Sequence, residues 1–207
     1  MDPVAGLGVL IGFVAGLSLH DYAHSLAATA LGDRTPRLMR RRTLDLRAHA
    51  DPLGTIILPG IFAIAAAFGS PLSPMFGWGK RHALNPRALR HPSRDVVIVA
   101  LAGPGATLLL AFLAISLVRI VGCGPGGRVL AWGALALVFL TVIEVLPIPG
   151  RDGGRILARF LPSHAAIRME ELIQYEVLFL LGLYMFLRGV VNGIADQVIR
   201  SLGGLSC

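Results

Sequence analysis

Apolar residues fall in long blocks at 4–31, 53–76, 95–122, 127–148 and 172–198, separated by short polar stretches. Several blocks reach the ~20 residues that a helix needs to cross the hydrocarbon core of a bilayer. The pattern predicts an all-α polytopic membrane protein with about four to six transmembrane or re-entrant helices. The first helix is expected from about Val4 to Leu31, where Gly32-Asp33 stops it. The alternating piece RLMRRRTLDL predicts short strands or an extended loop at about 34–47. Pro59-Gly60 interrupts the second block, a pair that weakens a helix. A third helix is expected from near Asp95. A fourth follows the CGPGG hinge at 123–127 and ends at Leu146, before Pro147 and Pro149. A last long helix is expected over about 170–199. With no internal repeat or low-complexity tail, the chain reads as a single membrane-embedded domain over 1–207, its core at about 4–160.

Composition sharpens this reading. The 207 residues are 55% hydrophobic and only 15% charged, whereas soluble domains carry roughly 25% charge. The mean hydropathy is +0.71. A secreted, disulfide-stapled domain is excluded, and Cys123 and Cys207, with no CxxC spacing, offer no thiolate metal site. Asp2 is the only charge before the first apolar run, which is too long for a signal-peptide core, so the first helix is expected to stay in the mature protein. The net charge of +7 comes almost wholly from arginine. In such a chain it points to membrane orientation and anionic headgroups of the lipid bilayer. No basic patch interleaved with aromatics supports nucleic acid as a partner.

Charge placement bears on the topology. If every apolar block crossed, the 19 basic residues would divide 9 to 10 between the two sides. If block 53–76 dips in and returns, 15 lie on one side and 4 on the other. Cytoplasmic loops carry an excess of Lys and Arg, so the re-entrant arrangement is favoured. A broken segment at that depth needs protein or water around its backbone.

Candidate chemistry begins inside the first helix, at His20-Asp21-Tyr22-Ala23-His24. Histidines at i and i+4 share a helix face and are near enough to bind one metal ion. Ionisable groups are costly in a membrane helix, and three in five residues point to function. Catalytic zinc usually has three protein ligands and a water, so a third ligand is expected elsewhere. Asp152 is the best candidate: it follows the helix-breaking prolines, where an irregular backbone lets its side chain turn inward. A DGG sequence is also an ordinary solvated turn. Glu144, in the apolar run LTVIEVLP, either pairs with a nearby arginine or joins the same polar pocket. His49, His82, His91 and His164 lie in polar loops and read as surface residues. Gly103 and Gly105 read as sites of close helix packing.

These motifs, in this order, resemble the site-2 protease family of intramembrane zinc metalloproteases. His20-Asp21-Tyr22-Ala23-His24 aligns with HExxH. The segment from Arg42 to Leu46, followed by His49-Ala50-Asp51-Pro52-Leu53-Gly54-Thr55, resembles "LTLNP…H.DP.GT". Gly77-Trp78-Gly79-Lys80 and Asn85-Pro86 resemble "GWAK…NP". Ala100-Leu101-Ala102-Gly103-Pro104 matches "ALAGP", and Leu146-Pro147-Ile148-Pro149 through Asp152-Gly153-Gly154 matches "NLLPIPPLDGG". The resemblance covers roughly residues 15–160. It implies zinc (Zn2+) on His20, His24 and Asp152, and substrates that are membrane-spanning proteins cut within or near the bilayer, as in regulated intramembrane proteolysis. It also implies that the AGP helix starts on the side where the HExxH helix ends. In the family reading Asn85 contacts substrate backbone, although a turn or capping role suits the NPR sequence as well. The expected location is the cell membrane of a bacterium, as a multi-pass protein.

Two departures fall on functional positions. The family's catalytic glutamate is Asp21 here, one methylene shorter, which sets its carboxylate about 1–1.5 Å further back. Glu144 stands where the family motif has asparagine, and Gly150 and Arg151 replace its proline and leucine. Three readings follow. Asp21 serves as the general base directly or through an extra water; Glu144 supplies or assists the base from the opposite helix; or the protein is a pseudoprotease, binding membrane helices or serving as a structural subunit beside a membrane-protein partner.

Overall fold

The computed structural model describes residues 3–68, 77–80, 84–176 and 178–180, with positions 182, 189 and 197 beyond them. Its helices are α1 (Pro3–Ala30), α2 (Thr35–Leu38), α3 (Leu46–His49), α4 (Leu58–Ala67), α5 (Pro92–Val121), α6 (Pro125–Val145), α7 (Asp152–Phe160) and α8 (Ser163–Glu171). A π-helical turn, Pro52–Ile57, leads into α4, and 3-10 turns lie at Pro86–Ala88 and Leu172–Tyr175. Among the described residues no strand forms, so the architecture is all-α. Three helices, α1, α5 and α6, are long and apolar enough to cross a membrane.

These three pack on one another because small residues let their backbones approach. On α1, Gly8, Gly12 and Gly16 recur every four residues and face α6. A Cβ on Gly12 would strike the Gly133 backbone, and one on Gly16 would strike Leu137. Phe13 and Leu17, on the same helix, are fully buried with Leu140 of α6. The outer face of α5 exposes Leu108, Phe112 and Ile120, as expected of a side meeting lipid. Gly122, with φ +76°, ends α5, and Pro125 opens α6 at a position where a missing N–H costs nothing.

The stretch 34–47 takes the loop alternative: two single-turn helices joined by bends replace the strands that its alternation allowed. Pro36 at the start of α2 and the Asp45 side chain capping Arg47 N explain why helical turns win there. The second apolar block is described as far as Phe68. From Pro52 to Ala67 the helix is roughly 24 Å long at 1.5 Å per residue, short of the ~30 Å hydrocarbon core. At the other end of the block, Gly79 pairs with Ala50 and Lys80 N donates to His49 O at 2.7 Å. The chain at Gly79 therefore lies beside Ala50, the arrangement expected if this block dips in and returns. Arg90 N donates to Leu31 O, so α5 begins where α1 ends.

Asp152 differs in detail from expectation. It opens helix α7 instead of sitting in irregular backbone. The two glycines after it serve packing: a Cβ on Gly153 would strike the Val145 carbonyl, and one on Gly154 the Ile148 carbonyl. The expected helix over 170–199 lies mostly outside the described residues.

Candidate metal centre

Three side chains from two elements converge in the bundle. His20 and His24 lie one turn apart on α1, and Asp152 reaches them from the first position of α7. His24 Nε2 is 2.9 Å from His20 Nε2 and 2.9 Å from Asp152 Oδ2. His20 Nε2 is 3.0 Å from the same carboxylate oxygen. All three residues are buried. Zinc bonds near 2.0–2.2 Å set the donors of a tetrahedral site roughly 3.3–3.5 Å apart, so the triangle needs only a few tenths of an ångström of expansion.

Hydrogen-bond accounting supports a cation there. His24 Nδ1 lies 2.6 Å from the Val99 carbonyl of α5, which can only accept, so Nδ1 carries a proton. Nε2 then faces the other two side chains, the orientation a metal-binding histidine takes from its second partner. Arg155 donates to Asp152 Oδ1 at 3.3 Å, which leaves Oδ2 for the triangle. Burial opposes ionisation of Asp152, but the facing His24 and His20 rings outweigh it and hold the carboxyl well below the usual range. Among the described residues this is the one group of at least three such side chains able to share an ion. Gly103 makes the geometry available. A Cβ at that position of α5 would strike His24 Nε2, with His20 Cε1 next at 2.7 Å. Gly105, by contrast, has open space where its Cβ would be.

The site opens on a cavity of about 300 Å³ lined by His20, Asp21, Trp78, Lys80, Glu144 and Arg151, among others. Polar walls here bring water to a site inside an otherwise apolar bundle. Asp21 therefore faces the same space as a metal ligand, one residue away. Its Oδ2 lies 3.2 Å from His49 Nδ1.

Curated relatives agree with this chemistry. A Mycobacterium tuberculosis protein named "Putative zinc metalloprotease Rip2" is 30% identical over 214 residues, covering 100% of this chain and 78% of that protein. The chain belongs to the site-2 protease family. "Putative zinc metalloprotease YwhC" of Bacillus subtilis is 29% identical over 210 residues, covering 93% of this chain and 89% of the relative. No family model matches the chain, and no solved structure matches it. Kinship of this extent supports a metalloprotease role with zinc as the cofactor, and the three long apolar helices support a membrane protein.

Glu144 and Arg151, both departures from the family motif, are bonded to each other. Arg151 donates from Nη1 to Glu144 at 2.6 Å, and its Nη2 lies 2.6 Å from Glu176 Oε1 as an ion pair. It also reaches the Gly77 carbonyl at 3.3 Å. Glu144 thus pairs with an arginine and also lines the cavity beside the metal centre. The charge that burial alone would discourage on Arg151 is held by the two carboxylates, which raise its pKa. Asn85 stands apart from the metal centre. It is exposed, caps the Pro86–Ala88 turn through Arg87 N, and its own N–H donates to Asp33 Oδ2 at 2.7 Å.

His49 corrects the reading of loop histidines as surface residues. It is 1% exposed and sits behind Asp21. A polar, arginine-rich neighbourhood suggested solvent; the signal against that was its place in the "H.DP.GT" stretch. His91 and His164 are exposed, as expected, and His82 lies outside the described residues.

Proposed function

We propose that the protein is an intramembrane zinc metalloprotease of the site-2 type, which hydrolyses peptide bonds in membrane-spanning segments of other proteins. The observation that carries this reading is the convergence of His20, His24 and Asp152 on one point inside an apolar bundle, with the Asp21 carboxylate lining the same water-accessible cavity. Zinc held by those ligands lowers the pKa of its water towards ~7 and polarises a carbonyl. Asp21 is the general base: its carboxylate takes the proton of the attacking water and returns it to the departing amide nitrogen. Val99 and Arg155 fix the ligands from outside, so the site is organised before substrate arrives. Such a protease acts on membrane-spanning partners that unwind locally at the cavity.

The substitution of aspartate for glutamate favours a second reading, a pseudoprotease that binds membrane helices. Cleavage of a single-span reporter by the purified protein separates the two. The reporter is one apolar helix of about 20 residues between epitope tags. For a protease, Asp21→Glu holds or raises cleavage, while Asp21→Asn lowers it by about 10²-fold or more, the scale of lost general-base help. Undiminished cleavage by Asp21→Asn would refute the assignment of the base. A wild type without cleavage, joined by an Asp21→Glu variant that gains it, would establish the pseudoprotease.

A further inference from the structure

The stretch between α1 and the Pro52–Ile57 turn carries positive charge that the chain itself does not answer. Over 33–51 stand six arginines and three aspartates. The aspartates are engaged by backbone N–H groups: Asp33 accepts from Thr35 and Asn85, Asp45 from Arg47, and Asp51 from Leu53 and Gly54. Among the described residues no hydrogen bond or ion pair reaches the guanidinium of Arg34, Arg37, Arg40 or Arg42, and all four side chains are exposed. Large apolar side chains are turned outward between them: Leu38 is 81% exposed, Met39 56% and Leu44 59%. Arg40 adds a backbone cost, with φ at +54°. Its N–H donates to Arg37 O at 3.1 Å and that of Arg41 to Pro36 O at 2.8 Å. This pair of bonds closes a helix end through a left-handed residue, where glycine is the usual occupant and a side chain is disfavoured.

We propose that residues 34–44 dock on the membrane surface as an anionic-lipid site. Leu38, Met39 and Leu44 enter the boundary between headgroups and acyl chains, and Arg37, Arg40 and Arg42 bind the phosphate oxygens of anionic phospholipids. The inference rests on the membrane reading of α1, α5 and α6 and is independent of proteolysis. Position supports it. The stretch starts where α1, a helix of membrane length, ends at Ala30. It leads into Pro52–Ile57, whose Ile56 and Ile57 are also exposed. A loop tied at both ends to apolar elements lies at the depth where the hydrocarbon edge meets phosphate. Leucine and methionine that are unfavourable in water are stabilised there. A planar guanidinium with paired donors matches phosphate bidentately, and its long stem spans the apolar boundary while the charge stays at headgroup level. A lipid surface therefore answers the arginines and the apolar side chains together, and the adjoining apolar helices already hold it beside the loop.

The depth of the loop in a bilayer tests this on the full chain. Cys123 and Cys207 are replaced by serine, and a fluorescent bimane is attached at Met39→Cys or, as a control at an exposed position of α8, at Ser163→Cys. The protein is reconstituted in vesicles of phosphatidylcholine alone or mixed with phosphatidylglycerol, with brominated acyl chains as the quencher. In the mixed vesicles the probe at Met39 should be quenched and blue-shifted, and the probe at Ser163 should not. An arginine near an anionic surface strengthens attraction about fivefold. The combined Arg37→Gln, Arg40→Gln and Arg42→Gln variant should therefore weaken docking by about 10²-fold and return the Met39 probe to the control level. Omitting phosphatidylglycerol should do the same. Equal quenching in the two kinds of vesicle, or none in either, overturns the inference. So does a Met39 probe that stays in water in mixed vesicles yet is shielded in native membranes, the result expected of a protein partner. The unsubstituted chain gives a second readout that needs no variant to fold. Trypsin cleavage after Arg40, Arg41 and Arg42 should slow by about tenfold when phosphatidylglycerol is included, while cleavage after the exposed Arg168 is unchanged. Unchanged cleavage in the loop overturns the inference. Protection reproduced by inorganic phosphate with phosphatidylcholine vesicles also overturns it, because the arginines would then bind a free anion and not the bilayer.

Discussion

Two buried polar clusters face each other across one cavity and obey different rules. In the His20–His24–Asp152 triangle, two ring nitrogens and a carboxylate oxygen stand about 3 Å apart, and His24 Nδ1 is turned to the Val99 carbonyl. In the Glu144–Arg151–Glu176 cluster the chain supplies its own cation, and each carboxylate meets a guanidinium nitrogen at 2.6 Å. Both clusters are largely buried and both hold acids. Burial of an acid is thus a poor guide to its role. The balance of donors and acceptors separates a site that needs an ion from one that has already satisfied itself.

Removing a member of each cluster should expose this contrast. The largest effect is expected in the triangle: His24→Ala or Asp152→Ala should reduce bound zinc from about one equivalent to background and abolish cleavage, since a catalytic zinc has only three protein ligands. Metal analysis of the purified variants checks this, and retention of full zinc by both would remove the distinction between the clusters. Next is Arg151→Met, which leaves two carboxylates without their cation and should cost about 3–5 kcal/mol of stability, the scale for breaking a buried ion pair. Thermal unfolding in detergent measures it. The double variant Glu144→Leu/Arg151→Met should recover part of the loss, because apolar residues replace a buried pair at little cost. Gly103→Ala should fall between packing and chemistry. The added methyl meets His24 and His20, so a loss of about 1–3 kcal/mol is expected from overpacking. Zinc affinity should drop with it, by roughly the 10–100-fold typical of disturbed ligand support. Equal zinc affinity in Gly103→Ala and wild type would show that α5 yields at this point. The smallest effect belongs to Glu144→Gln, which keeps an acceptor for Arg151; cleavage should change by less than about tenfold, against the ~10²-fold expected for Asp21→Asn. Equal losses in the two would make Glu144 a participant in proton transfer and erase the contrast.

His49 shows where a reading of the chain alone goes astray. Its neighbours Arg41, Arg42, Arg47 and Asp51 are those of a solvated loop, yet its ring is sealed between Thr43 and Asp21. Nothing in local composition reveals that, because Asp21 is distant in the chain and the two meet only when the loop before Pro52 packs against α1. Glu144 is a related case. Its pairing with an arginine depended on Arg151 turning back along the end of α6.

By itself the sequence determined the all-α membrane class, the boundaries of α1, α5 and α6, and two of the candidate metal ligands, His20 and His24. These follow from local rules: apolar runs of a set length, glycine and proline at helix ends, and histidines spaced to share a helix face. Asp152 was legible as a ligand only with the help of the family motif, since DGG on its own is also a turn. The tertiary structure decided which groups each acid faces. It brought Gly103 against His24, set Gly79 beside Ala50, and placed Arg151 between two glutamates. Those outcomes turn on distances of a few ångströms between residues far apart in the chain. In a low-dielectric interior such distances fix the sign and size of every electrostatic interaction, and no spacing along the sequence encodes them.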